Sequence, residues 1–322
     1  MKRSISGRVR WLACTFAAAL AAAVLRRWQL GSAFEEDTGL AIPGAPASVI
    51  LICALVITGA WLVILSQPGR PLSAQAHWDQ VLLNTGDRVY PVLEITAAFF
   101  AVAAIPVLFI VGVGQFQIYQ DAMKAHIQPP TDNGLLTLAT AGGAFLAALG
   151  LFQTGQDSLN PGRRGRGGFS IALPGVSGCV WLMESFRSHA ANPVRWDYVP
   201  QLLAIVLGVA FYMDFAGLSA GPARPRRLLW LAGMTAVFSA VALAGTAAEL
   251  AARPAAGLSL LCVQLADVLL LLSQTMAAAG ILWQLPSILD SLRLDSSRPS
   301  SPPEPDPDPE PIQEIQEDAD NE

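Results

Sequence analysis

Residues 257–282 read GLSLLCVQLADVLLLLSQTMAAAGIL, twenty-six residues of which one is charged. Crossing the hydrocarbon layer takes about 20 mostly apolar residues, so a run of this length is a membrane span. It must be helical, because lipid offers no partner to a backbone amide and the chain has to satisfy its own. The stretch Val268–Leu272 also lacks the alternation of a barrel strand. The single charge, Asp267, costs around 3 kcal/mol at the centre of a span, and each Leu or Val returns roughly 0.5 kcal/mol. The five residues Val268–Leu272 therefore offset it, and the segment still inserts.

Seven further stretches have the same character: Trp11–Leu25, Ser48–Leu65, Pro91–Gly114, Leu135–Phe152, Phe169–Phe186, Val199–Phe215 and Leu228–Leu250. The expected fold class is all-α, a polytopic transmembrane helix bundle of about eight spans over residues 1–289. Residues 290–322 form a separate cytoplasmic tail. Over the 322 residues, 53% are hydrophobic and 14% charged, against about 25% charged in an ordinary globular chain. The first segment has a basic start (Lys2, Arg3, Arg8, Arg10) and small residues at Ala21 and Ala23, which also suits a cleaved signal peptide. Leu25, Arg26 and Arg27 follow the core directly and favour a retained anchor.

Orientation follows from Lys and Arg, which accumulate on the cytoplasmic side. With eight spans and the amino terminus inside, the inner segments hold fourteen of these residues and the outer ones six. Removing a middle span would set Arg163, Arg164 and Arg166 on the opposite side from Arg224, Arg226 and Arg227. The even count therefore places both termini in the cytoplasm of a cell-membrane protein. Both Arg clusters are candidates for binding anionic lipid headgroups. Trp28, Trp78, Trp181, Trp196, Tyr198 and Trp283 lie near span ends, where amphipathic rings favour the interface.

In lipid, helices associate through close backbone contact and polar groups. Ala232, Ala236, Ala240, Ala244 and Ala248 form one small-residue ridge, and Ala139, Gly143 and Ala147 another. Pro106 and Pro174 each remove an amide donor within a span.

Asp267 is the residue most open to a chemical role, since an ionisable group inside a span is a functional candidate by default. It lies about ten residues into its span, roughly 15 Å along the axis and close to the midplane. Gln264, Asp267, Gln274 and Thr275 share one helical face directed into the bundle. Asp267, Gln264 and Gln274 are thus the candidate substrate or proton site, with an interhelical hydrogen-bond anchor as the alternative role. Asp214 is expected to meet one of Arg224, Arg226 or Arg227. Glu94, Glu184 and Glu249 stand near span ends and are expected at the headgroup layer.

Other chemistry finds no motif. His77, His126 and His189 lie in different loops, and Cys14, Cys53, Cys179 and Cys262 sit far apart in apolar runs. Neither set has metal-ligand or disulfide spacing. Phosphate-loop, dinucleotide and nucleophile-elbow patterns are missing, as is a basic domain with interleaved aromatics for nucleic acid. No catalytic residue, cofactor or metal is expected. The tail from Asp295 holds ten acidic residues and one basic residue, with proline alternating through Pro303–Pro311. Such a composition favours an extended, disordered segment.

Thr38-Gly-Leu-Ala-Ile-Pro-Gly44, Asn192-Pro193 with Tyr198, then Tyr212, Ala216-Gly217 and Pro225-Arg226-Arg227 occur at related spacing. In these features the chain resembles an uncharacterised family of bacterial polytopic membrane proteins with no assigned activity. The likeness implies a topology and no mechanism. Two functions are expected from the sequence. The first is a non-enzymatic structural, assembly or regulatory membrane protein, in contact with the lipid bilayer and with room for a protein partner or homo-oligomer. The second is a small-solute or proton-coupled transporter using Asp267.

Overall fold

The computed structural model of the chain describes residues 2–35, 40–66, 87–128, 134–159, 167–190, 197–220, 224–252 and 258–296. Among these residues there are eight long helices: α1 (Lys2–Ser32), α2 (Pro46–Ser66), α3 (Val89–Lys124), α4 (Leu135–Leu159), α5 (Gly167–Ala190), α6 (Val199–Ala220), α7 (Pro225–Ala252) and α8 (Leu258–Ser296). Each is long and apolar enough to cross a membrane. Among the described residues the only extended pairing is an isolated bridge between Phe34 and Ala41. The chain is therefore a multi-pass, all-helical membrane protein, as its apolar runs require.

Most helices overshoot their apolar runs, because polar residues can continue a helix into the headgroup layer. α3 extends to Lys124, and α8 continues to Ser296, past the expected boundary at 289. α1 runs on through Arg26 to Ser32 and packs against α2, α7 and α8. α3 and α5 are continuous through Pro106 and Pro174, and α8 through Pro286.

Successive helices run antiparallel. Arg8 at the start of α1 meets Asp87 just before α3 and Ser287 late in α8. At the opposite end, Gln29 of α1 donates to Ser48 of α2 at 2.9 Å, and Gln264 of α8 to Glu249 of α7 at 3.1 Å. We refer to these as the amino-terminal end and the far end. Helices α3 to α8 each touch the next, and α8 closes back onto α3, giving a six-helix ring. α1 and α2 pack outside it, chiefly on α7.

The outer surface carries large apolar side chains such as Phe16, Phe99, Ile110 and Phe169, the last 78% exposed. In water this belt would be an aggregation liability, whereas in lipid it is the contact surface. Inside, small residues set the spacing. Ala97, Ala101 and Ala104 of α3 are buried, as are Ala144 and Ala148 of α4. A Cβ at Gly150 of α4 would collide with the Ser170 carbonyl of α5. The α4 ridge differs from the expected one: Gly143 is buried, but Ala139 is exposed and Ala147 only half-buried. Small residues cover several faces of α4, so spacing alone does not select the buried one. On α7, Ala232, Ala236 and Ala248 are buried, and Ala240 and Ala244 half-buried.

Candidate functional site

The polar face of α8 divides among three neighbours. Gln264 pairs with Glu249 of α7 in an exposed contact at the far end. One turn further in, Asp267 accepts the indole N–H of Trp181 of α5 at 3.1 Å. Gln201 of α6 lies alongside, though its amide nitrogen makes no hydrogen bond. Gln274 donates to the Ala204 carbonyl of α6 at 2.7 Å and to the Ser239 hydroxyl of α7 at 3.4 Å. Thr275 bonds the Leu271 carbonyl of its own helix. Gln264, Asp267 and Gln274 are thus separate interhelical contacts.

Asp267 lies nine residues past the start of α8 (Leu258–Ser296), in the half nearer the far end. The helix continues well beyond Leu282, the expected end of the apolar run. Trp181 was expected at an interface, yet it is buried and engaged with Asp267.

An interior void lies inside the ring, next to Gln274, Ser273, Ser177, Thr140, Trp181 and Tyr212. Its empty space is about 450 Å3 counting the open mouth, but only about 40 Å3 admits the centre of a water molecule. Asp267 does not line it; Trp181 stands between them.

Glu94 is a second group whose surroundings differ from the expectation. Expected at the headgroup layer, it is 0% exposed, on the face of α3 turned toward α4 and α8. Neither carboxyl oxygen has a hydrogen-bond partner. Two glycines make its slot: a Cβ at Gly280 of α8 would lie 3.4 Å from its Oε1, and one at Gly155 of α4 would lie 3.5 Å from its Cβ. The Tyr90 hydroxyl, one turn earlier on α3, is an adjacent polar group but falls short of hydrogen-bond geometry. Tyr212 of α6 is close enough to feel the Glu94 charge, and it also lines the void. The signal that could have found Glu94 is its register: Asp87, Tyr90, Glu94 and Ala101 recur at offsets three, seven and fourteen, one helical face.

That face of α3 lies along α8 as an antiparallel seam. Trp283 donates to Asp87 at 2.9 Å, Gly280 faces Tyr90 and Glu94, and Ser273 donates to the Ala97 carbonyl at 2.8 Å. Asp87 closes its mouth. Burial pushes the Asp87 carboxyl up, but the Val89 amide, the Trp283 indole and Arg8 outweigh this and hold it below the usual carboxylate range. Arg8 also donates to Ser287 at 2.8 Å and lies 5.5 Å from the Trp283 ring centre.

Arg26, counted from the sequence among the outer loop charges, is 3% exposed within α1. It donates to the Asp197 carbonyl and to Gln29. Of the Arg clusters, Arg163, Arg164 and Arg166 lie outside the described residues. Arg224 is exposed, Arg226 half-buried, and Arg227 pairs with Asp214 at 2.8 Å, the pairing expected for that aspartate. The tail beyond Ser296 likewise lies outside the described residues. Among the described residues no group of three His, Cys, Asp or Glu side chains could hold a metal ion.

No protein-family model, curated protein or solved structure matches the chain.

Proposed function

We propose that this multi-pass membrane protein is a non-enzymatic structural, assembly or regulatory component of the bilayer, with both termini in the cytoplasm. One observation carries the reading: the polar groups of α8 are spent on interhelical contacts, beside a void with only about 40 Å3 for water centres. A small-molecule site ordinarily encloses about 300–1,000 Å3. Polar side chains used this way act as glue between helices. The Lys and Arg bias accords with the orientation. Bilayer lipid is the constant partner, and a protein partner or second copy is compatible with the apolar belt.

The second reading, a small-solute or proton-coupled transporter, is favoured by a different residue from the one the sequence offered. Asp267 has its Trp181 donor, whereas the Glu94 carboxyl has none. The test is reconstitution of the full chain into vesicles containing a pH-sensitive dye, with osmotic swelling followed in parallel. The scaffold reading expects neither solute-driven swelling nor proton flux above protein-free vesicles. Flux that Asp267→Asn or Glu94→Gln abolishes would replace it with the transporter.

A further inference from the structure

We propose that Glu94 is an intramembrane proton-binding site, loaded from the amino-terminal end of the bundle along one face of α3. This goes beyond the scaffold reading, because it gives the α3–α8 seam a ligand, the proton.

A carboxyl serving only as glue would be hydrogen-bonded, as buried polar groups almost always are. Both oxygens of Glu94 lack such a partner although the side chain is fully buried. Nor does any neighbour supply a counter-ion. Beside Glu94 the ionisable groups on or just before α3 are Tyr90, Asp87, which is taken by Arg8, and Arg88, which is exposed and lies off the face shared by Asp87, Tyr90 and Glu94. α4 holds Asp157, two residues past Gly155, as its only charged residue. α8 carries none between Asp267 and Asp290. Tyr212 of α6 is near enough to feel the Glu94 charge, and the charged residue of that helix is Asp214, held by Arg227. Arg8 of α1 is engaged by Asp87 and Ser287. The proton is the counter-ion these surroundings leave available.

The slot is shaped for the carboxyl. Gly280 leaves a side-chain-free wall beside the carboxyl, where a Cβ would press on the Tyr90 ring, and a Cβ at Gly155 would press on Ile95 and the Pro91 carbonyl, next to Glu94. The groups beside it can pass a proton on: a tyrosine hydroxyl both donates and accepts. Asp87 is partly exposed, Tyr90 and Glu94 follow on the same face, and Tyr212 joins that neighbourhood to the void. The line stops there. Trp181 stands between the void and Asp267, and an indole N–H donates without accepting. The proposed exchange of the Glu94 proton is with the amino-terminal end alone, past Tyr90 and Asp87.

The experiment is infrared difference spectroscopy on the full-length protein in lipid, stepped in pH, reading the carbonyl stretch of a protonated acid. The expected result is one band that appears and disappears reversibly with pH and shifts when glutamate, but not aspartate, is isotope-labelled. Glu94→Gln removes it, Asp267→Asn leaves it, and Tyr212→Phe moves it. Glu94→Asp, a second variant in case the amide destabilises the fold, transfers the shift to aspartate labelling. Absence of a titrating band in the wild-type protein overturns the proposal, as does a band that shifts only with aspartate label or survives in Glu94→Gln. The scaffold reading fails separately, by flux across vesicles, which a one-sided site does not produce.

Discussion

Gly208→Ala isolates what holds α6 against α8. The Gln274 side-chain amide lies over Gly208, so an added Cβ would collide with it. Gln274 is buried and bonded to Ala204 and Ser239, so it cannot swing away without losing those contacts. Overpacking of this kind costs about 1–3 kcal/mol. The displaced interhelical hydrogen bond adds about 0.6 kcal/mol, with an upper value near 1.7 kcal/mol. The expected loss for Gly208→Ala is therefore about 2–3 kcal/mol. In a Gln274→Ala background the colliding group is gone and the void beside it has room for a methyl, so the same change should cost under about 0.5 kcal/mol. The coupling in the double-mutant cycle is then about 2 kcal/mol, read from equilibrium unfolding in mixed micelles. Equal costs in the two backgrounds would show that Gln274 does not lock this contact. A neutral Gly208→Ala in the wild-type protein would show that α6 and α8 are not so closely packed.

Asp87→Asn should cost about 1.5–3 kcal/mol near neutral pH, since hydrogen bonds to a charged group contribute about that much. Because the Asp87 carboxyl is held low, its contribution is present above the usual carboxylate range and lost as pH falls through the lowered folded value. The variant should accordingly lose that part of the acid sensitivity in a pH series of unfolding midpoints. Gly150→Ala should destabilise by about 1–3 kcal/mol, because the new Cβ meets the Ser170 carbonyl, a backbone atom that cannot rotate away. Unchanged thermal unfolding in detergent would contradict that contact. Trp181→Phe should lose about 0.6–1.7 kcal/mol, while Asp267→Asn, which keeps an acceptor oxygen, should lose less and insert normally; the order of unfolding midpoints checks this. Reporter fusions at either terminus should report the cytoplasm, and an external signal from either would overturn the proposed orientation.

The spans were legible because insertion imposes a one-dimensional rule: enough apolar residues in a row to cross the layer. All eight expected runs correspond to helices α1 to α8, including the Gly- and Pro-containing Phe169–Phe186. The interior was less legible, because hydropathy does not say which face of a helix turns inward. Glu94 lies only three residues into Pro91–Gly114, so its sequence position suggested a headgroup charge. It is buried against Gly155 and Gly280, 61 and 186 residues away. Arg26 was misplaced for the same reason, with its acceptor on the turn before α6. The α8 face was correctly read as inward at Gln274, but the sequence could not show that three different helices would divide its polar groups. The Asp214 pairing was foreseeable because its partner lies a short loop away.

The position of α1 outside the ring also has a consequence for biogenesis. Asp197, whose carbonyl receives the Arg26 guanidinium, is 171 residues further along the chain. At 5–20 residues per second that interval lasts roughly 10–30 s. During it the nascent first helix holds an arginine near one membrane surface with its final acceptor not yet synthesised. Headgroup phosphates or the insertion machinery must shelter that charge until the later helices arrive, so anionic lipid content should govern the yield of newly made protein more strongly than the endurance of the finished bundle.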